Sequence, residues 1–335
     1  MKAMTVGSPA TLDTLAFTDR ADPGRPGRGE IRVALHGSSL NFHDLGVVTG
    51  RLPAAAGRIA LADGGGIVEA VGEGVTEFAA GDRVVSCFFP DWQDGAPTIG
   101  TFARTPGDGI DGFATGFVVA PATAFTRAPS GYDPVEAATI TTAGLTAWRA
   151  LVGDGGLKAG DTVLLLGTGG VSIWGLQIAT AMGATAIVTS SSGEKLERAR
   201  DLGAAHVVNY REVPDWGRAV ADWTGGRGVD HVLELGGAGT LANSITAVRV
   251  GGHIALIGTV TGIAGDVPTA ALMAKQARLQ GLIVGSRRHQ QDFVRAIEAT
   301  GIRPVVDRRF PLADLADAFR FQQSSGHFGK IGIEW

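Results

Sequence analysis

The run Leu164-Leu165-Leu166-Gly167-Thr168-Gly169-Gly170-Val171-Ser172 has the residue types and spacing to hold a pyrophosphate. An apolar β-type run leads into glycines, and the glycines lead into a helical run. Gly167 permits a tight turn. Gly169 and Gly170, flanked by Thr168 and Val171, let the backbone come close to an anion. The helix then presents its unpaired N–H groups and the positive end of its dipole to that anion. The last position of the G-x-G-x-x-G spacing is Ser172, small enough to keep helix and strand in close contact. A bare glycine turn without a ligand is the competing reading. The strand before it, the helix after it and the βαβ series around it favour a dinucleotide.

An NAD-selective site places Asp or Glu at the end of the second strand to hold the ribose hydroxyls. Here that strand ends in Thr189-Ser190-Ser191-Ser192, with Lys195 and Arg198 one helical turn apart beyond it. Serine hydroxyls and a lysine suit a 2′-phosphate, which a carboxylate would repel. The expected cofactor is NADP(H), with Ser190, Ser191 and Lys195 at its phosphate. Arg198, beside Glu194 and Glu197, reads as a solvated helix face.

A second constellation is Asn41-Phe42-His43-Asp44. Asn41 and His43 are candidate hydrogen-bond donors to a substrate oxygen. Asp44, next to His43, would orient an imidazole for proton transfer. The alternative is that Asp44 caps a helix from Leu45 onward while His43 points away. Seven histidines are scattered without His-Glu-x-x-His spacing, and Cys87 is the single cysteine, so no metal is expected. Trp92, between Asp91 and Gln93, is expected to reach a substrate pocket, whereas Phe88 and Phe89 read as core.

The elements that must position these groups fit two domains. A chain of 335 residues with 44% hydrophobic and 19% charged residues can bury large cores and is neither disordered nor a coiled coil. A net charge of −4 argues against a nucleic-acid partner. The N-terminus lacks a signal-peptide pattern, and the single cysteine suits a cytoplasmic location. The charge-free stretch 162–193 reads as a buried strand–helix–strand unit and not as a membrane helix, because glycines punctuate it. Short strands are expected at Ile31–Leu35, Gly66–Val71, Asp82–Cys87 and Phe117–Ala120, with an ordered loop over Phe89–Phe117. Six further strands alternate with helices: Val163–Leu166, Ala186–Thr189, His206–Val208, His231–Glu234, His253–Ile257 and Leu279–Val284. That alternation predicts an α/β doubly wound parallel sheet. The tail, with helices over Asp292–Thr300 and Ala313–Ser324 and a strand over Gly329–Glu334, is expected to fold back on the first domain.

Four stretches then carry a resemblance. These are Ser39–Asp44, Gly65–Val75 followed by Gly81-Asp82-Arg83-Val84, Ala143-Gly144-Leu145-Thr146-Ala147-Trp148, and Gly326-His327-Phe328-Gly329-Lys330-Ile331. Nearly end to end, the chain resembles the medium-chain dehydrogenase/reductase superfamily, in its zinc-free alcohol dehydrogenase-like and quinone oxidoreductase-like branch. The resemblance implies a GroES-like catalytic domain over 1–122 and 300–335 around a Rossmann domain over 123–299, and a homodimer. Zinc-containing members carry a cysteine where this chain has Asn41, and Gly-His-Glu where it has Leu61-Ala62-Asp63. The resemblance also implies that Asn41 and Thr146 lie on the nicotinamide side, and that Ser191, Lys195 and Tyr210 hold the adenosine phosphate. By the same resemblance Ile257, Gly258, Gly285 and Ser286 line the nicotinamide loops, and Lys330 lies near the cofactor. Gly46 stands where some quinone reductases carry a tyrosine.

The chemistry expected without a metal is reduction of a quinone or of a double bond conjugated to a carbonyl. Hydride goes to the β-carbon, and the oxygen that gathers charge needs only hydrogen-bond donors. A zinc-free NADP-dependent alcohol dehydrogenase or carbonyl reductase stays open, as does an NADPH-binding protein without turnover.

Overall fold

The computed structural model describes residues 1–335. By packing, the chain divides into two compact units, Met1–Leu145 with Val284–Trp335, and Thr146–Ile283.

The unit Thr146–Ile283 is built on six strands, Thr162–Leu166, Thr185–Ser190, His206–Asn209, Val229–Glu234, Val248–Leu256 and Arg278–Gly281. Every pairing is parallel, and the order across the sheet is third, second, first, fourth, fifth, sixth. This is the doubly wound order in which ligands sit beyond the strand ends where the order reverses. The central strands are apolar without alternation, with Val163, Leu164, Leu165, Val232 and Leu233 fully buried, because helices cover both faces. The charge-free stretch contains the helix Gly170–Ala181, whose Ile173, Trp174, Leu176 and Ile178 enter the core. No helix is long and apolar enough to cross a membrane. The sixth strand stops at Gly281, short of the expected Val284, which sits in left-handed backbone with φ 45°.

The other unit holds a seven-stranded sheet. Glu30–Ser39 is its longest strand, pairing antiparallel with Gly65–Val71, Phe117–Pro121 and Lys330–Glu334. The tail therefore returns to the N-terminal part, with Gly332 opposite Ser39. Val306–Pro311 pairs in parallel with the tail strand, and Arg83–Ser86 with Phe125–Arg127 completes the other edge. A two-stranded ribbon, Lys2–Thr5 with Ala16–Asp19, is an element the sequence reading did not include.

Two segments grouped by the sequence with the Rossmann part, 123–145 and 284–299, pack inside this unit. The helix Pro134–Thr139 lies directly on the sheet. A Cβ on Gly65 would come 2.0 Å from the Pro134 carbonyl oxygen, and one on Gly37 2.5 Å from the Val135 nitrogen. The helix Arg287–Thr300 is tied in by Arg287 Nε donating to the Phe125 carbonyl at 2.8 Å and Gln290 Nε2 to Thr126 Oγ1 at 2.8 Å. Buried polar side chains need such partners, and theirs lie in the sheet. The loop over Phe89–Phe117 is anchored by buried Trp92, Thr105, Asp108 and Phe113, while residues 93–98 are exposed.

Candidate active site

In the unit Thr146–Ile283, the strand Thr162–Leu166 ends at Gly167, which has φ 79°. Only glycine takes that conformation without strain. Gly169 is the residue before the helix Gly170–Ala181, and a Cβ on Gly167 or Gly169 would meet nothing within 4 Å. The side-chain direction of both glycines is therefore open, while Gly167 N–H is held by the Thr189 carbonyl at 2.9 Å. Thr168 is buried and Val171 half-buried in the first helical turn. Ser172 Oγ donates to the Leu166 carbonyl at 2.7 Å, so the position that departs from glycine adds a bond between helix and strand.

The second strand delivers Ser190, whose Oγ accepts from Ser192 N at 3.3 Å. Ser192 caps the helix Gly193–Asp201, Ser191 is half-buried, and no carboxylate ends the strand. Tyr210 is 42% exposed, its N–H bonded to the Ser190 carbonyl at 3.1 Å, so the third strand brings it beside the serines. Lys195 sits in the first turn of the capped helix. Ile257 and Gly258 follow the fifth strand, and both N–H groups bond the Glu234 carbonyl. A Cβ on Gly258 would lie 2.3 Å from the Leu235 carbonyl, so that position requires glycine. Glu234, not singled out from the sequence, is fully buried. It accepts from Gly236 N at 2.8 Å, Gly237 N at 2.9 Å, Thr240 Oγ1 at 2.5 Å and Ser244 Oγ. It therefore shapes the loop after the fourth strand. Thr146 is buried in this unit. These residues fit a dinucleotide.

In the other unit, Asn41 is the N-cap of the helix Phe42–Val48 and Asp44 reaches back to it from the third helical position. Asp44 Oδ2 accepts from Asn41 N at 2.9 Å and Asn41 Nδ2 at 3.0 Å, while Oδ1 accepts from Ala62 N at 2.9 Å. Lys330 Nζ donates to Asn41 Oδ1 at 2.5 Å and to the Leu40 carbonyl at 2.6 Å, and lies 3.6 Å from Asp63. Asp63 also accepts from Ser39 Oγ at 2.5 Å and Thr142 Oγ1 at 2.6 Å. All are buried. Burial pushes both carboxyls up and the Lys330 ammonium down, and the ammonium's attraction opposes the rise on each acid.

Two expectations are thereby corrected. Asp44 does not orient His43, because both its oxygens serve the cap and Ala62. Asn41 has its amide committed to Asp44, the Ser39 carbonyl and Lys330, so it offers no free donor to a substrate. Lys330 is likewise held inside this cluster and not presented on a surface.

His43 finds a different acid. Its Nε2 lies 3.4 Å from Asp108 Oδ2, in the loop over Phe89–Phe117. Phe88 packs edge-on at 5.4 Å and Phe102 tilted at 4.6 Å against the imidazole. Nε2 is buried and its 3.4 Å approach to the carboxylate is an ion-pair contact without hydrogen-bond geometry, and Nδ1 carries no hydrogen bond either. Burial holds the imidazole below its ordinary 6.5, with Asp108 acting against that, and burial holds the Asp108 carboxyl up. Asp108 was missed because it is 65 residues away in a glycine-rich loop with no motif around it.

Trp92 is 3% exposed, packed edge-on against His289 at 5.9 Å and beside Phe89, with Nε1 donating to the Gly95 carbonyl. It closes an aromatic cluster. Ser286 caps the helix Arg287–Thr300 through His289 N, and Gly285 lies against Leu145. At Gly46, a Cβ would come 3.0 Å from Leu52, so Leu52 fills the space a larger side chain would need.

Known proteins show the same organisation. Residues 27–130 match the family model of the alcohol dehydrogenase GroES-like domain and 170–300 that of zinc-binding dehydrogenase. A zinc-type alcohol dehydrogenase-like protein of Schizosaccharomyces pombe is 41% identical over 332 residues, 96% of each chain. This chain is a medium-chain dehydrogenase/reductase. A solved NAD-dependent alcohol dehydrogenase is 32% identical, with TM-score 0.90 and 100% of both chains covered. A mycobacterial protein solved with NADPH is 28% identical, with TM-score 0.81 and 100% of both chains covered. Membership makes the protein an oxidoreductase working with a nicotinamide cofactor.

The zinc in the family's description does not fit the donors present. By the resemblance to zinc-containing members, Asn41 and Ala62 stand where a thiolate and an imidazole would be needed. The Lys330 ammonium sits 2.5 Å from the Asn41 oxygen, where it would repel a second cation. Cys87 is fully buried, its thiol pushed up to about 12 by burial. No group of three His, Cys, Asp or Glu side chains is arranged to hold a metal.

Proposed function

We propose that the protein is an NADPH-dependent, zinc-independent reductase of enones or quinones. The observation that carries this reading is the buried cluster in which an ammonium, Lys330, meets Asn41 and Asp63, at positions that by the resemblance bear metal ligands in zinc-containing members. Zinc lowers the pKa of a bound water from about 15.7 to about 7. Alcohol oxidation lacks that help here. Reduction of a conjugated double bond needs a hydride, donors for the carbonyl oxygen worth about 2.7–4 kcal/mol each, and a proton for the α-carbon. Bound NADPH supplies the hydride. His43 supports the proton step: Asp108 faces Nε2 at 3.4 Å, Nδ1 is the nitrogen left for a substrate, and Phe88 and Phe102 pack against the ring. The hydroxyls of Ser190 and Ser191 with Lys195 and Tyr210 suit a 2′-phosphate.

The same dyad favours a second reading. A neutral imidazole at Nδ1 would accept a hydroxyl proton, which supports a zinc-free alcohol dehydrogenase or carbonyl reductase. NADPH and NADH oxidation against a panel of quinones, enones and aldehydes, with product analysis and elemental analysis for metal, tests both. The first reading expects NADPH preferred, a saturated ketone or hydroquinone as product and no stoichiometric metal. NADP⁺ reduction by primary alcohols favours the second. Nucleotide binding without turnover of any acceptor overturns both.

We also infer a homodimer. Arg278–Gly281 is an edge strand, and Val260, Ile263, Met273 and Ile283 nearby in sequence are 64%, 92%, 76% and 43% exposed. An open strand edge flanked by apolar side chains pairs readily with its mate. A monomer by light scattering refutes this.

A further inference from the structure

His231, His253 and Arg278 are partners across the fourth, fifth and sixth strands of the unit Thr146–Ile283. His231 also sits opposite Val163, near the start of the first strand, whereas Gly167 follows that strand's end. The row therefore lies at the end of the sheet opposite the glycine turn. With Asp230, Arg249, Gly155, Gly251 and Gly252 it lines a recess of ≈ 310 Å³. A water molecule's share of liquid volume is about 30 Å³, so the space exceeds what a single tetrahedral oxyanion needs.

The hydrogen bonds fix the state of both imidazoles. Arg278 Nε donates to His253 Nδ1 at 2.9 Å, so Nδ1 is a lone-pair acceptor and Nε2 carries the proton. His231 Nε2 lies 3.2 Å from Asp161 Oδ2, and a carboxylate only accepts, so His231 Nδ1 is left as an acceptor. Both rings are about nine-tenths buried or more, and His253 Nε2 and His231 Nδ1 have no partner. One orphan donor and one orphan acceptor thus sit on rings 6.3 Å apart. A buried polar atom left unpaired costs about 1–3 kcal/mol, so a bound group is the economical account of two at one place.

The charges around the recess favour an anion. Asp230 is answered by Arg227, by Arg249 Nε at 2.5 Å and by Thr162 N. Asp161 is paired with Lys158 as well as His231, and Asp154 with Arg149 and Gln280. Arg249 spends Nη1 on the Val250 carbonyl, and Arg278 spends Nη2 on the Asp154 carbonyl. Nη2 of Arg249 and Nη1 of Arg278 remain uncommitted. The recess thus offers guanidinium and imidazole N–H donors together with one imidazole acceptor.

We propose that this recess is a binding site for inorganic hydrogen phosphate. Its charged oxygens accept from Arg249, Arg278 and His253 Nε2, and its P–OH donates to His231 Nδ1. Sulfate at neutral pH has no proton to give, and neither has a phosphomonoester in its dianionic form, whose second pKa is about 6. The site therefore separates free phosphate from both.

The test uses the full chain saturated with NADP⁺, so that nucleotide phosphate sites are filled. Inorganic phosphate, sulfate and glycerol phosphate are titrated at about pH 7.5 by calorimetry, and the His231 and His253 ring protons are followed by NMR. The expected result is phosphate binding that shifts both rings, with sulfate and the monoester at least about tenfold weaker, the scale of one lost hydrogen bond to a charged group. Arg278→Gln and, separately, Arg249→Gln weaken phosphate by about tenfold or more and leave NADP⁺ affinity unchanged. That unchanged affinity also reports that the variants fold. Equal affinity for phosphate and sulfate overturns the donor–acceptor assignment. No phosphate binding up to about 20 mM, which corresponds to weaker than about 2.3 kcal/mol, or binding indifferent to both variants, overturns the site.

Discussion

The glycine turn after Leu166 and the acid–ammonium cluster around Lys330 are opposite solutions for holding charge. The turn is built from consecutive residues, and at Gly167 and Gly169 a Cβ would touch nothing within 4 Å. The cluster draws Asn41, Asp44, Asp63, Thr142 and Lys330 from four segments up to 289 residues apart and satisfies them against one another. An open, local arrangement awaits a ligand. A closed, non-local one stabilises the fold that carries the dyad. A residue of the second kind should be felt in stability, and one of the first kind in binding.

The hardest blow to that contrast is Lys330→Met. It leaves two buried carboxyls without their cation and should cost about 3–5 kcal/mol in urea unfolding. Adding Asp63→Asn should recover part of the loss. If Lys330→Met instead keeps full stability and weakens only cofactor binding, the cluster belongs with the open sites. Next is His43→Gln, expected to lower kcat about a hundredfold with little change in stability. In the reductive direction the imidazolium is the acid, and burial makes it form only below the usual 6.5. Turnover should therefore rise as pH falls through that lowered value. Asp108→Asn removes the carboxylate that holds the pKa up, so the inflection should move to still lower pH, with kcat reduced about tenfold. A smaller effect is expected on the open side. Ser191→Ala with Lys195→Ala should weaken NADPH about tenfold and leave NADH unchanged, read by fluorescence titration.

The smallest effect concerns His253. Burial and the neighbouring Arg278 push its imidazole down to about 4. The folded chain keeps it neutral while the unfolded chain takes a proton near 6.5, so its contribution is complete above about 6.5 and is lost as pH falls toward about 4. His253→Gln should flatten that part of the urea-midpoint profile.

The legible parts of the sequence are those whose physics is local. Strand, turn and helix around Gly167 follow from apolar runs broken by glycine, and the observed helix Gly170–Ala181 starts within one residue of the expected one. The six parallel strands were also readable, because buried strands are continuous apolar runs. The fifth was expected to start at His253 but begins at Val248, since Gly251 and Gly252 mask its first half. The partner of His43 was illegible. Asp44 adjoins it in sequence, yet a helix capped at Asn41 turns Asp44 back toward the cap, and the acid that meets the imidazole comes from a loop with no periodicity. The same limit hid the commitment of Asn41 to Lys330, which exists only because the tail strand pairs with Glu30–Ser39.

The seating of the helix Pro134–Thr139 has a consequence for Asp63. Its register against the sheet is set by main chain close to main chain at Gly37 and Gly65 and by the Val135 side chain against Gly332. The chain continues from that helix to Thr141 and Thr142, whose hydroxyls reach the Ser86 carbonyl and Asp63. One added carbon at Gly65 would lift the helix and draw the Thr142 hydroxyl off the carboxylate. Two hydrogen atoms standing in for side chains thus set the tolerance to which the charged centre of this unit is built.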